Sequence, residues 1–345
     1  MVFFWMVVVL LALLAYVILD GYDIGIGTLT LFERDGGTRR DMLDVVGNVW
    51  DGNESWLILL AMGLWAGFPD AYATALPALY LPLCLMLFAL IFRGFAIEMA
   101  LHRPGFDRIW GRLFGLGSLV AAFAQGVVFG GLVSGITVVN HQFAGGTWDF
   151  LGHGYPLLTG CATVLLYTWA GAAQLQAKLA GDARRRASRQ VRLLTGPVVL
   201  ASALSAGLLP LASNARLRLD GVDRWLPFGY GLLIAVGAFY TAWRWAGRSP
   251  KQVSFFAAVA VQIGGLLALI CLYFPVLVPP SVTIYSAAAG RNTLVFLTVM
   301  IGVIGPGTVG YGIYAHWVFR SAPAVKPVAE TPPAAPDRAA LSPTN

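Results

Sequence analysis

Four carboxylates near the N-terminus have the types and spacing to do chemistry. Asp20 and Asp23 lie in the run LDGYDIGIG, Leu19–Gly27, and Asp51 and Glu54 lie in WDGNESW, Trp50–Trp56. Each pair is spaced i, i+3, so its members share one face of a helix. Apolar sequence continues past the first pair to Phe32, which places both acids inside a membrane span, in its cytoplasmic half. The second pair opens the next span at the cytoplasmic side. Two helices joined by a short loop are neighbours, so the expectation is that all four acids converge near one depth. A charge at the bilayer centre costs ~2.5–3.5 kcal/mol on insertion scales. Desolvation and like-charge proximity both favour a neutral carboxyl, and acids that bind and release protons at depth suit a proton relay or entry site. Gly21, Gly25 and Gly27 leave the first span thin, so a neighbouring helix can approach closely. The plainer readings are that Asp51 or Asn53 caps the second helix, and that Asp20 and Asp23 only fix packing through inter-helix hydrogen bonds.

The elements that position these acids follow from composition. The chain has 345 residues, 58% hydrophobic and 12% charged, with a mean hydropathy of +0.72. Soluble domains carry about 25% charged residues, so a soluble globular protein is excluded. Disorder needs low hydrophobicity and is excluded too. Long unbroken apolar runs favour helices over the short alternating segments of an outer-membrane barrel. The fold class is all-α, a polytopic bundle of about nine transmembrane helices, over 2–32, 53–70, 74–98, 112–136, 155–177, 193–212, 226–246, 252–274 and 293–319. Each can cross ~30 Å of hydrocarbon. The first span has no basic n-region and is read as a retained helix rather than a signal peptide. Nineteen of the 23 Lys and Arg fall in alternate loops (33–52, 93–112, 178–192, 244–251) and the tail; Arg216, Arg218, Arg224 and Arg291 fall on the other side. That asymmetry puts the N-terminus outside and the C-terminus in the cytoplasm. It also accounts for the net charge of +6 without nucleic acid. Residues 1–320 form the bundle. The tail 321–345, with six prolines and seven alanines, reads as disordered.

Other polar residues carry less. Cys84, Cys161 and Cys271 form no CxxC or CxxCH, so no zinc, iron–sulfur or covalent haem signature is present. None of His102, His141, His153 and His316 falls at mid-membrane depth, which argues against a haem held by this chain. Glu98, close to Arg93 and Arg103, reads as half of an interfacial ion pair. Asp70 follows Pro69 at an outer turn and reads as structural. Gln125 and Gln262 read as interhelical hydrogen-bonding residues. Eleven tryptophans and twelve tyrosines near span ends read as an interfacial belt.

The two acid motifs resemble subunit II of the cytochrome bd-type quinol oxidases. Further matching stretches are LIFRGFAIE at Leu90–Glu98, YPLLTG at Tyr155–Gly160 and FPVLVPPS at Phe274–Ser281, followed by Tyr285-Ser286-Ala287. The order and nine-span layout agree from end to end, leaving only the tail uncovered. The chain looks closest to the shorter, cyanide-insensitive branch; Val49 stands where some members carry His. The resemblance implies two four-helix bundles plus one peripheral helix. It implies a bacterial inner-membrane complex that oxidises ubiquinol or menaquinol and reduces oxygen to water, electrogenic without pumping. Haems b and d and the quinol-oxidation loop belong to the partner, subunit I; this chain binds no cofactor or metal. Small single-helix accessory subunits, membrane lipid and quinone are the further partners. By motif match Asp51 is the leading proton-relay residue, with Asp20, Asp23 and Glu54 beside it. Trp50 matches a position where some members hold a structural quinone. A proton-coupled secondary transporter and a purely structural scaffold are the alternative readings.

Overall fold

Among the described residues, apolar runs interrupted by proline and glycine fold into eleven α-helices and two small hairpins. The computed structural model describes residues 1–102, 106–139, 142–152, 154–212 and 222–318. The helices are α1 (Val2–Thr30), α2 (Gly36–Gly47), α3 (Trp50–Gly67), α4 (Pro69–Ala78), α5 (Tyr80–His102), α6 (Asp107–Ser134), α7 (Tyr155–Lys178), α8 (Gly181–Ala212), α9 (Val222–Trp245), α10 (Val253–Tyr273) and α11 (Arg291–Val318). The hairpins are β1 (Val138–Val139) with β2 (Gln142–Phe143), and β3 (Val276–Val278) with β4 (Val282–Thr283), both antiparallel.

Seven helices are long and apolar enough to cross a membrane, and the bent pair α3–α4 makes an eighth candidate among the described residues. The expected crossing over 226–246 lies on α9, whose 24 residues are long enough to span. The expected tail and the loop arginines Arg216 and Arg218 lie outside the described residues, as do His141, His153 and Arg103.

The boundaries depart from expectation in three places, each for a local reason. First, the second and third spans are separated by a distinct helix. Pro69 has no N–H and pushes the preceding residue out of the helical region; Phe68 sits at φ −135°, ψ 62°. The chain turns by 118° there, and the third long helix starts only at Tyr80. Second, the loop 33–52 is mostly helical. Asp35 caps α2, accepting from Thr38 N at 2.8 Å and Thr38 Oγ1 at 2.6 Å, which satisfies an orphan donor of the first turn. Met42, Leu43 and Val46 of α2 are buried in the core shared with α1, α5 and α6. Third, the basic loop 178–192 is really the first turns of α8. Only Leu179 and Ala180 separate α7 from α8.

The packing forms two groups of four. In the first, α1 lies against α3 and α6, and α5 runs along α6; in the second, α7 packs on α8 and α10, and α9 packs along α10. The seam between them is made by α7 against α1 and α6. Close approach of backbones drives association where lipid removes the hydrophobic incentive, and the LDGYDIGIG glycines supply it. A Cβ on Gly25 would lie 1.7 Å from the Tyr167 carbonyl oxygen, and one on Gly171 would lie 2.5 Å from Ile26 N. Thr30 Oγ1 then donates to the Gly111 carbonyl at 2.8 Å, fixing the end of α1 on α6. Helix α11 stands apart. It touches α3, and Trp5 Nε1 donates to Leu294 O (3.3 Å) and Thr298 Oγ1 (3.1 Å).

Candidate functional site: a buried ionic cluster

Three helices carry ionisable groups to one place in the interior. Asp20 and Asp23 on α1 are fully buried, and so is Asn53 on α3. Arg93, on α5, is 1% exposed. Its Nη2 donates to Asp20 Oδ1 at 2.6 Å and to Glu54 Oε2 at 3.4 Å. Asn53 Nδ2 donates to Asp23 Oδ2 at 2.7 Å and to Tyr22 OH at 3.1 Å. The i, i+3 spacing puts the two α1 acids on one side, but they go to different partners: Asp20 to the cation, Asp23 to the amide.

The sequence around each group explains how it gets there. Gly94 follows Arg93, and a Cβ on it would press on the Trp50 ring at 3.0 Å. That lets the first turn of α3 sit against α5, with Glu54 facing the guanidinium. On the other side of α5, Gly117 of α6 lies against the Arg93 backbone, where a Cβ would be 3.2 Å from its Cα. A second polar link lies one turn away on α1. Gln125 Nε2 of α6 donates to Tyr16 OH at 2.7 Å, and Tyr167 OH of α7 donates to Gln125 Oε1 at 3.1 Å. This is the interhelical role expected of Gln125. Gln262 differs, because its buried Oε1 has no partner among the described residues.

The four acids do not all converge. Asp20, Asp23 and Glu54 join through Arg93 and Asn53, whereas Asp51 stays exposed in the first turn of α3. It lies within electrostatic reach of Glu98 at the end of α5. Neither Asp51 nor Asn53 caps α3: the N-cap is Val49, with no side-chain hydrogen bond. The Asn53 amide is spent on Asp23 instead. Glu98 is not the partner of Arg93. It lies 3.3 Å from His102 Nδ1, because Arg93 points into the bundle rather than toward the helix end. Trp50, the expected quinone or lipid position, is partly buried beside Gly94, and its Nε1 has no partner among the described residues.

Two residues were missed as site members from sequence. Arg93 falls in the basic 93–112 stretch by sequence, yet it lies about two turns inside α5. The available signal was an arginine inside the apolar run from Tyr80 to Ala100, which is expensive without an acid. Asn53 stands out in sequence only as one of two alternative caps, with Asp51, whereas its amide holds the buried Asp23 carboxyl.

Exposure falls stepwise through the cluster: Asp51 is exposed, the Glu54 side chain is 25% exposed, and Asp20 is at 0%. A large apolar surface flanks Glu54. On α3 it includes Ile58, Met62 and Trp65; on α5 it includes Phe88, Ile91 and Phe95. Among the described residues, no group of three or more His, Cys, Asp or Glu is placed to hold a metal ion.

Fold and site together define a polytopic helical membrane protein with an ionic cluster at its core. The chain belongs to the cytochrome bd terminal oxidase subunit II family, whose model matches residues 1–319. It is 25% identical over 325 residues to cytochrome bd ubiquinol oxidase subunit 2 of Bacillus subtilis, covering 92% of this chain and 95% of that one. It is 32% identical over 211 residues to cytochrome bd-I ubiquinol oxidase subunit 2 of Escherichia coli, covering 58% of this chain and 55% of that one. The fold matches the bd oxidase structure from Geobacillus thermodenitrificans with a TM-score of 0.75 at 18% identity, over 92% of this chain and 97% of that one. The chain is thus an integral membrane subunit of a respiratory oxidase, and its family membership implies a partner, subunit I.

Proposed function

We propose that this chain is the haem-free subunit of a quinol:oxygen oxidoreductase, and that its carboxyls carry protons from the cytoplasm toward the oxygen-reducing haems of subunit I. The observation that carries the reading is the graded series on α3 and α1. Asp51 and Glu54 are one turn apart, and the next acid, Asp20, shares Arg93 with Glu54. A proton entering at Asp51 meets acids of increasing burial, and each lowers the cost of carrying charge into hydrocarbon. Arg93 is shared by buried Asp20 and part-exposed Glu54, while Asp23 has no cation beside it among the described residues, so the cluster has room for a bound proton. Asp23, held by Asn53 rather than by a cation, is the member best suited to exchange a proton without breaking an ion pair.

The apolar faces of α3 and α5 beside Glu54 suit subunit I, which would bring its oxygen site alongside this series. Electrons do not pass through this chain in the reading. Quinol, as in the names of the bacterial relatives, is oxidised on the partner with proton release outside, so the complex is electrogenic without pumping.

The test is quinol-driven oxygen uptake by the complex, with its haem spectrum, for Asp51→Asn and Asp23→Asn. A relay predicts intact haem with uptake lowered about tenfold or more, roughly 1.4 kcal/mol on the barrier. Near-normal uptake in both variants removes the relay and leaves the scaffold. The scaffold reading has the Asp20–Arg93 bond in its favour, since a buried ion pair holds α1 against α5 whether or not protons move. The transporter alternative has no observation of its own beyond intramembrane acids.

A further inference from the structure

The basic residues at the foot of α8 do more than set orientation. Arg184, Arg185, Ser188, Arg189 and Arg192, with Gly247 of the α9–α10 turn, line a cavity of about 460 Å³. That is within the size range of small-ligand sites, about 300–1,000 Å³. Positions 184, 188 and 192 recur at i, i+4, i+8, one stripe of a helix.

The cavity is organised for an anion. Of its four arginines only Arg185 has an acid, Asp182, beside it among the described residues, at the exposed end. Arg184 Nη2 donates to Arg248 O at 3.1 Å, and Arg192 Nη2 donates to Ala246 O at 2.5 Å. These carbonyls hold the guanidinium groups in place without neutralising them. Arg184 Nε is buried with no partner among the described residues. Arg189 has no carboxylate within ion-pairing distance among the described residues. Gly247, at φ +80°, turns the chain so that its backbone closes one wall; a Cβ there would sit 3.7 Å from Arg192 Nη2. Arg186, one position round the helix, is not part of the cavity. It faces Glu33 and Asp35 at 3.8 and 3.7 Å, so the stripe and its neighbour are separated by function.

Position along the helix narrows the occupant. Arg192 is the last charge of α8, and Leu193 and Leu200 after it are 62% and 61% exposed. The cavity therefore lies where cytoplasmic water gives way to hydrocarbon, with apolar helix surface directly below. Arginine forks match phosphate oxygens, and basic pockets at this depth suit anionic headgroups. We propose that this cavity binds a phosphate-bearing anion, the headgroup phosphate of an anionic membrane lipid whose acyl chains run along the exposed leucines of α8.

The test uses the purified complex in neutral detergent. It is titrated with phosphatidylglycerol in mixed micelles, with phosphatidylcholine as the uncharged control, and bound lipid is counted by native mass spectrometry. Inorganic phosphate is titrated separately by equilibrium dialysis. One saturable phosphatidylglycerol site is expected, weakened about fivefold by Arg189→Gln, since a basic residue near the surface contributes ≈ 1 kcal/mol. The Arg189 side chain is exposed and makes no hydrogen bond among the described residues, so Arg189→Gln leaves folding intact. Arg34→Gln, exposed elsewhere on the same face, should leave the site unchanged. Equal loss in both variants, or equal binding of phosphatidylcholine, overturns the site in favour of diffuse attraction. Saturable binding of inorganic phosphate that Arg189→Gln weakens supports the cavity and assigns it to a soluble phosphate.

Discussion

Replacing Arg93 tests the architecture of the cluster directly. Its bond to Asp20 is 2.6 Å long between side chains 1% and 0% exposed. Its contact with Glu54 is 3.4 Å long, and that acid is 25% exposed. Arg93→Met keeps most of the side-chain volume but strands a carboxylate in the interior. Breaking a buried pair by removing one partner costs about 3–5 kcal/mol. A part-exposed contact is worth about 0–1 kcal/mol. The two couplings should therefore differ. In double-mutant cycles with Asp20→Asn and with Glu54→Gln, the Arg93–Asp20 coupling should be about 2–3 kcal/mol and the Arg93–Glu54 coupling below about 1. The Arg93→Met, Asp20→Asn double variant should be more stable than Arg93→Met alone, because no unpaired charge remains. Reversible SDS unfolding in mixed micelles measures all of these. If Arg93→Met lost less than about 1 kcal/mol, or if Glu54 coupled more strongly than Asp20, the buried-pair reasoning would be refuted.

Gly25→Ala should prevent the α1–α7 seam from closing, since its Cβ would lie 1.7 Å from a backbone carbonyl; the amount of assembled complex in membranes should collapse, while Gly36→Ala, with open space around it, should accumulate normally. Asn53→Ala removes the 2.7 Å donor to Asp23 and should cost about 1–3 kcal/mol, read by the same SDS unfolding; no change would mean that Asp23 has another donor. The α2 cap should respond to pH with a defined sign. Thr38, through its hydroxyl and backbone N–H, holds the Asp35 carboxyl below its ordinary range. Its stabilisation is thus present above the unfolded value, about 3.9, and is lost as pH falls through the lower folded value. Amide protection in α2, taken relative to the intrinsic exchange rate at each pH, should therefore fall on acidification, and Asp35→Ala should remove that dependence.

Composition and the length of the apolar runs together established a helical membrane protein, because an apolar backbone in lipid has few ways to satisfy its hydrogen bonds. The segments that carry helices were legible from run length. Their ends were not, wherever a local device intervened: Pro69 breaks the second segment, Asp35 starts a helix in a loop, and α8 begins some twelve residues before its apolar stretch. The acid motifs also stood out, since four carboxylates beside apolar sequence need a reason. Their partners did not. Asp20 and Arg93 are 73 residues apart, and Asp23 and Asn53 are 30 apart; no periodicity links residues on different helices. Sequence spacing places side chains on a face of one helix. Which face meets which, and so whether a carboxylate ends against a guanidinium, an amide or water, is decided by close approach at Gly25 and Gly117, to backbone, and at Gly94, to the Trp50 ring. That approach exists only once α1, α3, α5, α6 and α7 have packed.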